Sequence, residues 1–334
     1  MTRRWGLVVL VLAGPACLPE VIEGQPVDDG DTATSADEAS TDAGTEAGTS
    51  TDAGTSSDTG TSTDTDTSSD TGTSTGMTEC SDHDDCPGGN CLAGDCVVVS
   101  SCRNLDDLDV GETLPSGVYE LDPDGPGDRP PYEAYCELEL FGGGWTLVLK
   151  SNGNLQTFGW DSPQWQALEP YQPQFPDLDR QEAKLESYAA VPVSEVLIGM
   201  ESPVGSDPAP LELNWITVPT GGGSLRAVIE PSMYIPTAVG RDTWKGLLEG
   251  ASLQPNCNRE GFNVVGDQLQ NWHRVRIGII ANEQNDCSTP DSRLGIGGQG
   301  TECGTPNDPT GNFGGCEADN GDVNSIGFGV VLVR

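Results

Sequence analysis

Three consecutive glycines, Gly142–Gly144, constrain the fold of this chain most, because they stand between two runs that have the patterns of β-strands. Before them, Tyr132, Ala134 and Cys136 alternate with other residues at the period of a half-buried strand. After them, Trp145–Leu149 is almost continuously apolar and rich in β-forming residues, as expected of a central strand. Glycine adopts positive φ at little cost. The pattern therefore predicts a β-hairpin whose turn passes close to another segment and whose tryptophan lies in the core.

Similar strand patterns recur through residues 98–334, a stretch long enough to form one large core. Helical patterns are few: Arg180–Ala189, and Arg241–Glu249 with Gly250 as its stop. Glycine and proline separate these segments. We therefore expect an α+β fold that is mainly an antiparallel sheet with long loops. The predicted strands are Gly117–Leu121, Tyr132–Leu138, Trp145–Lys150, Ser194–Met200, Leu211–Val218, Leu225–Ile229, Arg274–Ile280 and Gly327–Val333.

Residues 1–17 have the pattern of an export signal. A short basic start precedes the apolar run Trp5–Ala13, which is too short to span a bilayer as a helix, and small residues follow it. Cys17 comes directly after them and resembles the acylated cysteine of a bacterial lipobox, although Gly14 stands where a leucine is usual. We expect Cys17 to carry a lipid and the protein to be a cell-surface or outer-membrane lipoprotein. Cleavage without a lipid, which gives a secreted protein, is the alternative.

Residues 18–79 differ sharply in composition from the rest of the chain. Asp, Thr, Ser, Gly and Ala dominate, with imperfect Ser-Thr-Asp-Thr-Gly repeats, and the stretch has 15 acidic residues but no lysine or arginine. With so little apolar surface to bury, it cannot offset the entropy cost of becoming ordered. The composition predicts a disordered, self-repelling tether that holds the later domains away from a surface, or an ordinary linker.

Residues 80–97 carry four cysteines and little other apolar content, which indicates a small module held by disulfides in place of a core. A zinc site is the alternative, but the export signal and the lack of Cys-x2-Cys pairs favour disulfides. With Cys17 set aside for the lipid, even numbers of cysteines remain in the module and in residues 98–334, which fits an oxidising compartment. The module allows three connectivities, and of these we expect Cys80–Cys91 with Cys86–Cys96.

The hairpin belongs to a longer motif, Tyr-Cys-x5-Gly-Gly-Gly-Trp-Thr, which ends at Thr146. This motif resembles the signature near the start of fibrinogen C-terminal-like domains and of the related intelectins. Upstream, Cys102 and the run Leu114–Tyr119 are similar to the first cysteine and a strand of that family, and the resemblance covers roughly residues 99–334. It implies a fibrinogen-like fold, and the disulfides that go with it here are Cys102–Cys136, Cys257–Cys287 and, as the third pair, Cys303–Cys316.

A second distinctive stretch, Asn282–Asp322, is rich in Asp, Asn, Glu and Gly and has little regular pattern. Loops of this length inside a compact domain are usually functional or disordered, and here the cysteines and glycines favour an ordered one. Calcium takes roughly six to eight oxygen ligands in irregular geometry, from carboxylates, amides and backbone carbonyls. The composition therefore predicts a calcium site. The alternative is that these residues only form turns.

The resemblance strengthens the calcium prediction, because fibrinogen-like and intelectin domains bind calcium in this region and intelectins use the ion to hold the vicinal hydroxyls of a sugar. Cys287 and the glycine run that follows Arg293 are similar to the intelectin cysteine and glycine run. Between them, only Asp291 keeps a metal-binding side chain at a family ligand position, and the aromatic box around the sugar has no counterpart. Asn152 and Asn154 occupy the place of upstream calcium ligands. We expect donors among Asp286, Asp291, Glu302, Asp319, Asp322 and Asn152.

The sequence shows no pattern of a known catalytic site. His83 lies in an acidic surface run and His273 at the entry to a strand, and no Ser/His/Asp, Cys/His or HExxH arrangement occurs. The net charge of −38 disfavours nucleic acid and anionic membrane surfaces as partners, which leaves the lipid as the contact with a membrane. We expect a non-enzymatic surface recognition domain that binds a glycan with calcium. The alternatives are a structural or adhesive protein that binds another protein, and a hydrolase with paired carboxylates.

Overall fold

The structure is a computed structural model that describes residues 79–334 apart from 109, 112, 126, 128 and 269–271. Two antiparallel sheets, of seven and six strands, form most of its regular structure, and a two-stranded hairpin precedes them. No α-helix in these described ranges is longer than five residues. The fold is therefore mainly β, which corrects the expected α+β class. The export signal, Cys17 and the tether up to residue 78 lie outside the described residues.

Strands and helices are numbered in chain order. The strands are β1 (Asn90–Leu92), β2 (Asp95–Val97), β3 (Gly117–Leu121), β4 (Tyr132–Glu137), β5 (Trp145–Asn152), β6 (Ala183–Lys184), β7 (Glu195–Glu201), β8 (Asn214–Pro219), β9 (Ile235–Pro236), β10 (Asn256–Val264), β11 (Arg274–Asn282), β12 (Ser292–Gln299), β13 (Thr310–Gly314), β14 (Val323–Ile326) and β15 (Phe328–Val333). The helices are α1 (Cys102–Asp106), α2 (Ser187–Ala190), α3 (Leu225–Ile229) and α4 (Arg241–Lys245).

The seven-stranded sheet contains the predicted glycine hairpin, in the order β3-β4-β5-β15-β7-β8 with β6 paired to β5. Gly142, Gly143 and Gly144 have φ of 86°, 69° and 73°. A Cβ on Gly143 would lie 2.6 Å from the carbonyl oxygen of Leu138, and one on Gly144 would lie 3.1 Å from a backbone atom of α1. Trp145 is fully buried, and its Nε1 donates a hydrogen bond to the Leu140 carbonyl at 3.0 Å. The hairpin, the close approach of its turn and the buried tryptophan are confirmed.

The six-stranded sheet, in the order β14-β13-β12-β11-β10-β9, has a line of glycines across it. Its register pairs Gly261 with Gly278, Gly278 with Gly295, and Gly295 with Gly311, and we call these four the glycine row. All four have positive φ, from 126° to 158°. A Cβ on Gly295 would lie 2.1 Å from the carbonyl oxygen of Ile277, and each of the others would meet a carbonyl oxygen at 2.0 to 2.2 Å. The strands can pair this closely only because no side chain stands in the row.

The glycine row explains why the predicted long loop was wrong. Strands β12 and β13 both lie within Asn282–Asp322, and each is fully buried or nearly so. Glycine normally weakens a strand pattern, so these segments had no recognisable period in the sequence. Paired across the sheet, however, their glycines meet each other and the strands form. What remains irregular is the turn before β12 and the segments on either side of β13.

The two sheets pack on each other through the main hydrophobic core. Side chains of β5, β7 and β15 cluster there with side chains of β10, β11 and β12 and with Trp244 of α4. A second cluster includes Leu147, Leu197 and Leu332, which alternate along their strands with residues of the first. Because neighbouring strand residues point to opposite faces, the seven-stranded sheet is covered on both sides. The second cluster also takes in Leu92 of the small module.

Two helix and strand predictions were wrong for local reasons. Leu225–Ile229, predicted as a strand, is the helix α3, and Ser224 caps it by accepting a hydrogen bond from the amide of Ala227 at 3.4 Å. Within Arg180–Ala189, predicted as a helix, Ala183–Lys184 instead pairs with β5 and only the last residues are helical. Tertiary pairing outweighs helix propensity there. The other seven predicted strands form at or near their predicted positions, and α4 is the start of the second predicted helix.

Among the described residues there are five disulfides, in the predicted pairs: Cys80–Cys91, Cys86–Cys96, Cys102–Cys136, Cys257–Cys287 and Cys303–Cys316. The small module rests on the outer strand β3. The Asn90 side chain donates to the carbonyl of Glu120 at 2.8 Å and accepts from its amide at 2.9 Å, so it continues the pairing of that sheet edge. Among the described residues, no helix has the length and apolar character needed to cross a membrane.

Candidate functional site

The candidate site lies at the turn that joins β11 to β12. The last pair of this ladder is Ala281 with Ser292, and the Asp291 amide donates to the Ala281 carbonyl at 3.0 Å. The Cys257–Cys287 disulfide ties the turn to β10, and Cys303–Cys316 ties the segment after β12 to the segment after β13. Side chains at this turn are therefore held by covalent links as well as by the sheet.

Asp291 and Glu283 form a pair of carboxyl groups across the turn, which we call the carboxyl pair. Asp291 is 5% exposed, whereas Glu283 is exposed. Burial, a hydrogen bond with Glu283 and the negative charge of Glu283 raise the pKa of Asp291 to about 8. The same hydrogen bond lowers the pKa of Glu283. The pair therefore holds one proton at neutral pH, and the buried member carries it.

Two more acidic residues act on the carboxyl pair. The charge of Glu302 contributes to the raised pKa of Asp291, and the charge of Asp286 acts against the lowering at Glu283. Asp286 also accepts a hydrogen bond from the Ser288 amide at 2.8 Å, which closes the turn. In the described part of the chain, none of these four residues forms an ion pair with a base. Two predicted donors, Asp291 and Asp286, thus act on Glu283, and Glu302 acts on Asp291. Glu283 itself was not among the predicted donors.

Asp319 belongs to a different cluster. Its carboxylate accepts hydrogen bonds from Arg241 and Lys245, both at 2.7 Å, and from the Leu253 amide at 3.1 Å. Burial would raise the pKa of Asp319, but the hydrogen bonds from Arg241 and Lys245 outweigh it and hold the pKa below its usual value. Both carboxylate oxygens of Asp319 accept hydrogen bonds, so Asp319 anchors the segment after β13 to α4. The prediction that Asp319 binds a cation gains no support from this arrangement.

Asp322 and Asn152 close local turns. Asp322 accepts from the amide of Glu317 at 3.0 Å, and Asn152 Oδ1 accepts from the amide of Asn154 at 2.9 Å. Asn152 is in β5 of the seven-stranded sheet, and its own amide donates to Glu182 at 2.9 Å. Within the described ranges, neither side chain has a hydrogen bond to the carboxyl pair.

The carboxyl pair offers the oxygen ligands that calcium prefers, but it supplies only part of a calcium coordination shell. In the described part of the chain, no three carboxylate or imidazole atoms lie within 4.8 Å of one another; the group that meets this distance is Cys80, Cys86 and Cys96. Those sulfurs are in disulfides and are not thiolate ligands. Calcium completes its shell with carbonyl oxygens and water. Two carboxylates with further acids beside them therefore suit this ion better than zinc.

A buried network holds the segment that carries Glu302. The Arg293 guanidinium donates to the carbonyls of Gly300 and Asp308 at 2.9 Å and to the ring of His273 at 3.2 Å. Since arginine only donates, His273 Nδ1 accepts, and its Nε2–H then donates to Thr305 at 2.8 Å. Burial lowers the pKa of His273 well below its usual value and that of Arg293 to about 9. His273 thus holds this segment as a structural residue.

Comparison with known proteins shows a weak structural likeness. No family model matches the sequence, and no curated protein matches it. Among solved structures, the chain is similar to the fibrinogen-like globe domain of human ANGPTL6, with 16% identity over 71% of this chain and 96% of that chain and a TM-score of 0.31. A TM-score this low does not establish a shared fold in detail, so the fibrinogen-like assignment rests on the sequence motif.

Proposed function

We propose that residues 98–334 form the non-enzymatic recognition domain of an exported protein, that this domain binds calcium at the carboxyl pair, and that the bound ion holds hydroxyl groups of a glycan. The carboxyl pair is the observation that supports this proposal most directly. Two carboxyl groups share one proton there, and no basic residue among the described ones pairs with either. A divalent cation can take the place of the proton and remove the repulsion between the two charges.

Asp291 and Glu283 would hold the ion, with Glu302 and Asp286 adding negative charge around it. Asp291 is buried and fixed by the end of the β11–β12 ladder, so it would supply a rigid ligand. Glu283 is exposed, so an ion between the two residues would keep coordination positions open to solvent. Open positions are what a sugar diol needs in order to reach a calcium ion. The calcium would thus polarise and orient ligand hydroxyls at the surface of the domain.

The structure supports an exported, non-catalytic protein in two ways. Five disulfides fit an oxidising compartment outside the cytoplasm. The carboxyl pair is in hydrogen-bond contact, whereas the two acids of a glycosidase stand at least about 5 Å apart to admit the sugar. The pair therefore does not have the spacing of the two acids of a glycosidase.

A glycan array probed with the full chain tests the proposal. We expect binding in calcium, loss of binding in chelator, and loss of binding in calcium for Glu283→Gln. Asp242→Asn is the matched control, because it removes one exposed acidic charge at α4 and should keep both the binding and the response to chelator. Glycan binding that persists in chelator would contradict the calcium role. No glycan binding in calcium, together with a protein that melts normally, would contradict the recognition of sugars.

A further inference from the structure

A cleft in two adjoining parts, which share Ser202, Pro203 and Glu249, runs along the segment 202–213 that links β7 to β8. Its larger part, about 830 Å³, is lined by this segment, by Leu248 and Glu249, and by Arg180, Glu201 and Asn214. A second part, about 510 Å³, continues past Ser202 and Pro203 to β14. The cleft shares no lining residue with the carboxyl pair or the acids beside it. It is therefore a separate site, beyond the function proposed above.

One wall of the cleft is held rigidly by a buried ion pair. Arg180 Nε and Nη2 donate to the two carboxylate oxygens of Glu201 at 2.6 and 3.0 Å. Glu201 in turn accepts from the amides of Gly205 at 3.1 Å and Glu212 at 3.0 Å, which lie near the two ends of the segment. Arg180 also donates to the Pro210 carbonyl at 2.9 Å. Because the wall is fixed by these bonds, the cleft is formed before any ligand arrives.

The charges of the cleft are unbalanced. Of the described residues that line it, Arg180 is the only basic one, and Glu201 and Asp207 both pair with it. Glu212 and Glu249 are exposed in the cleft and form no ion pair within the described ranges. An anionic ligand would find no free cation there. A cationic ligand would meet two unpaired carboxylates in a chain whose net charge is −38.

The far end of the cleft is the outer edge of a sheet. β14 is the last strand of the six-stranded sheet, so one row of its backbone N–H and C=O groups points away from β13. The Ser202 hydroxyl donates to the carbonyl of Ile326 at the end of β14 at 2.9 Å, so this carbonyl is occupied, and Asn324 and Ser325 of the same strand line the cleft beside it. Extended peptides add to such edges through main-chain hydrogen bonds. In the part of the chain that the structure describes, no tryptophan, tyrosine or phenylalanine lines the cleft, so these residues offer no aromatic face to a sugar ring.

We infer that this cleft binds an extended segment of a partner protein that contains lysine or arginine. The segment pairs with β14 and places its cationic side chains against Glu249, where the two parts of the cleft meet, and against Glu212. Main-chain pairing with the edge gives the position, and the two carboxylates select for basic side chains. A second copy of this chain is a poor occupant, because its own net charge is strongly negative.

The test uses the full chain in chelator, which removes any contribution of calcium, and a fluorescent peptide of alternating lysine and valine. We expect binding that weakens with rising salt and no binding of the matching peptide with glutamate in place of lysine. Glu212→Gln with Glu249→Gln should weaken binding at least about fivefold, as loss of two surface charge contacts implies. Glu169→Gln with Asp242→Asn removes the same charge elsewhere and should change it less than about twofold. Hydrogen exchange should show new protection of the β14 amides in the complex.

Several outcomes overturn the inference. One is failure of the lysine peptide to bind, and another is equal binding by the two double variants. Equal binding of the glutamate peptide, or protection that appears away from β14, does the same. Sedimentation of the full chain tests the alternative that a second copy binds in the cleft. If the chain self-associates and the lysine peptide dissociates the complex, the occupant of the cleft is a second copy. None of these results depends on whether the domain binds a glycan, so the two proposals fail or succeed separately.

Discussion

The shared proton of the carboxyl pair should make the calcium-free protein less stable as the pH rises through neutrality. In the folded state the pKa of Asp291 is about 8, raised by burial and by Glu283, whereas in the unfolded state it returns to the ordinary value near 3.8. Between these two values the folded protein binds a proton that the unfolded protein does not. The free energy of unfolding therefore falls with increasing pH in this range.

The size of the effect follows from proton linkage. One proton bound only by the folded state changes the free energy of unfolding by about 1.4 kcal/mol per pH unit. From about pH 6.5 to 7.5 the loss is therefore about 1 kcal/mol, or a fall in melting temperature of about 2–4 °C for a domain of this size. Two groups oppose this fall at the edges of the window. Burial lowers the pKa of His273, so around and below about pH 6.5 the unfolded state binds a proton that the folded state does not, and stability rises with pH there. Burial also lowers the pKa of Lys184 to about 8, so its contribution rises with pH at the alkaline edge. Within the window both contributions are smaller than that of Asp291 and reduce the fall without reversing it.

Thermal melts of the full chain in chelator, at several pH values across this window, measure the slope. Glu283→Gln removes the charge next to Asp291 and keeps a donor for its hydrogen bond, so this variant should have a smaller slope and a higher melting temperature at about pH 7.5 than the unmodified chain. It should also lose the stabilisation by calcium. Asp242→Asn should keep the full slope. A slope in the unmodified chain no larger than in Glu283→Gln would refute the shared proton.

Three further predictions concern other parts of the molecule. Gly295→Ala should lower the free energy of unfolding in urea by more than about 3 kcal/mol, because the added Cβ would lie 2.1 Å from a carbonyl oxygen. Gly117→Ala, which has open space around it, should lower it by less than about 1 kcal/mol. Similar losses in the two variants would argue against the glycine row. Asp319→Ala should lower the free energy of unfolding by about 1–2 kcal/mol while leaving the calcium response intact, and loss of that response would make Asp319 a ligand. Mass spectrometry of the mature protein should find an acyl group on Cys17, and an unmodified N-terminus at another residue would contradict the anchor.

The seven-stranded sheet was predictable because its strands follow local rules. The period of Tyr132–Glu137, the glycine turn and the apolar run from Trp145 are all visible in consecutive residues. The disulfides followed from the family motif and from the even numbers of cysteines in each part. These features were predictable because the residues that determine them lie close together in the sequence.

The six-stranded sheet was harder to predict because its pattern is visible only across strands. Gly278, Gly295 and Gly311 each weaken the strand pattern of their own segment, and they become necessary only when the strands pair. Their positive φ and the short distances to facing carbonyl oxygens result from that pairing. The nearly equal spacing of these glycines along the chain is the one signal in the sequence that could have indicated the row.

The candidate site was predictable at one residue and not at its partner. Asp291 was chosen from a family position, but Glu283 becomes its neighbour only through the pairing of β11 with β12. In the same way, Asp319 was a reasonable donor by composition. Two bases of α4, Arg241 and Lys245, are distant in the sequence and occupy its carboxylate in the fold. The positions of the few lysine and arginine side chains in the fold thus determine which acidic residues remain free to bind a cation.

That distribution of bases explains why both proposed sites favour cations. The chain has 15 lysines and arginines, and among the described residues Lys150, Arg180, Lys184, Arg276 and Arg293 are buried. Lys184 donates to backbone carbonyls, Arg293 donates to backbone carbonyls and to the ring of His273, and Arg180 is held by Glu201. Buried and engaged, these bases cannot meet a ligand, so the surface that a partner encounters is more negative than the composition alone implies. An ion at the carboxyl pair and a basic peptide in the cleft both follow from this one imbalance.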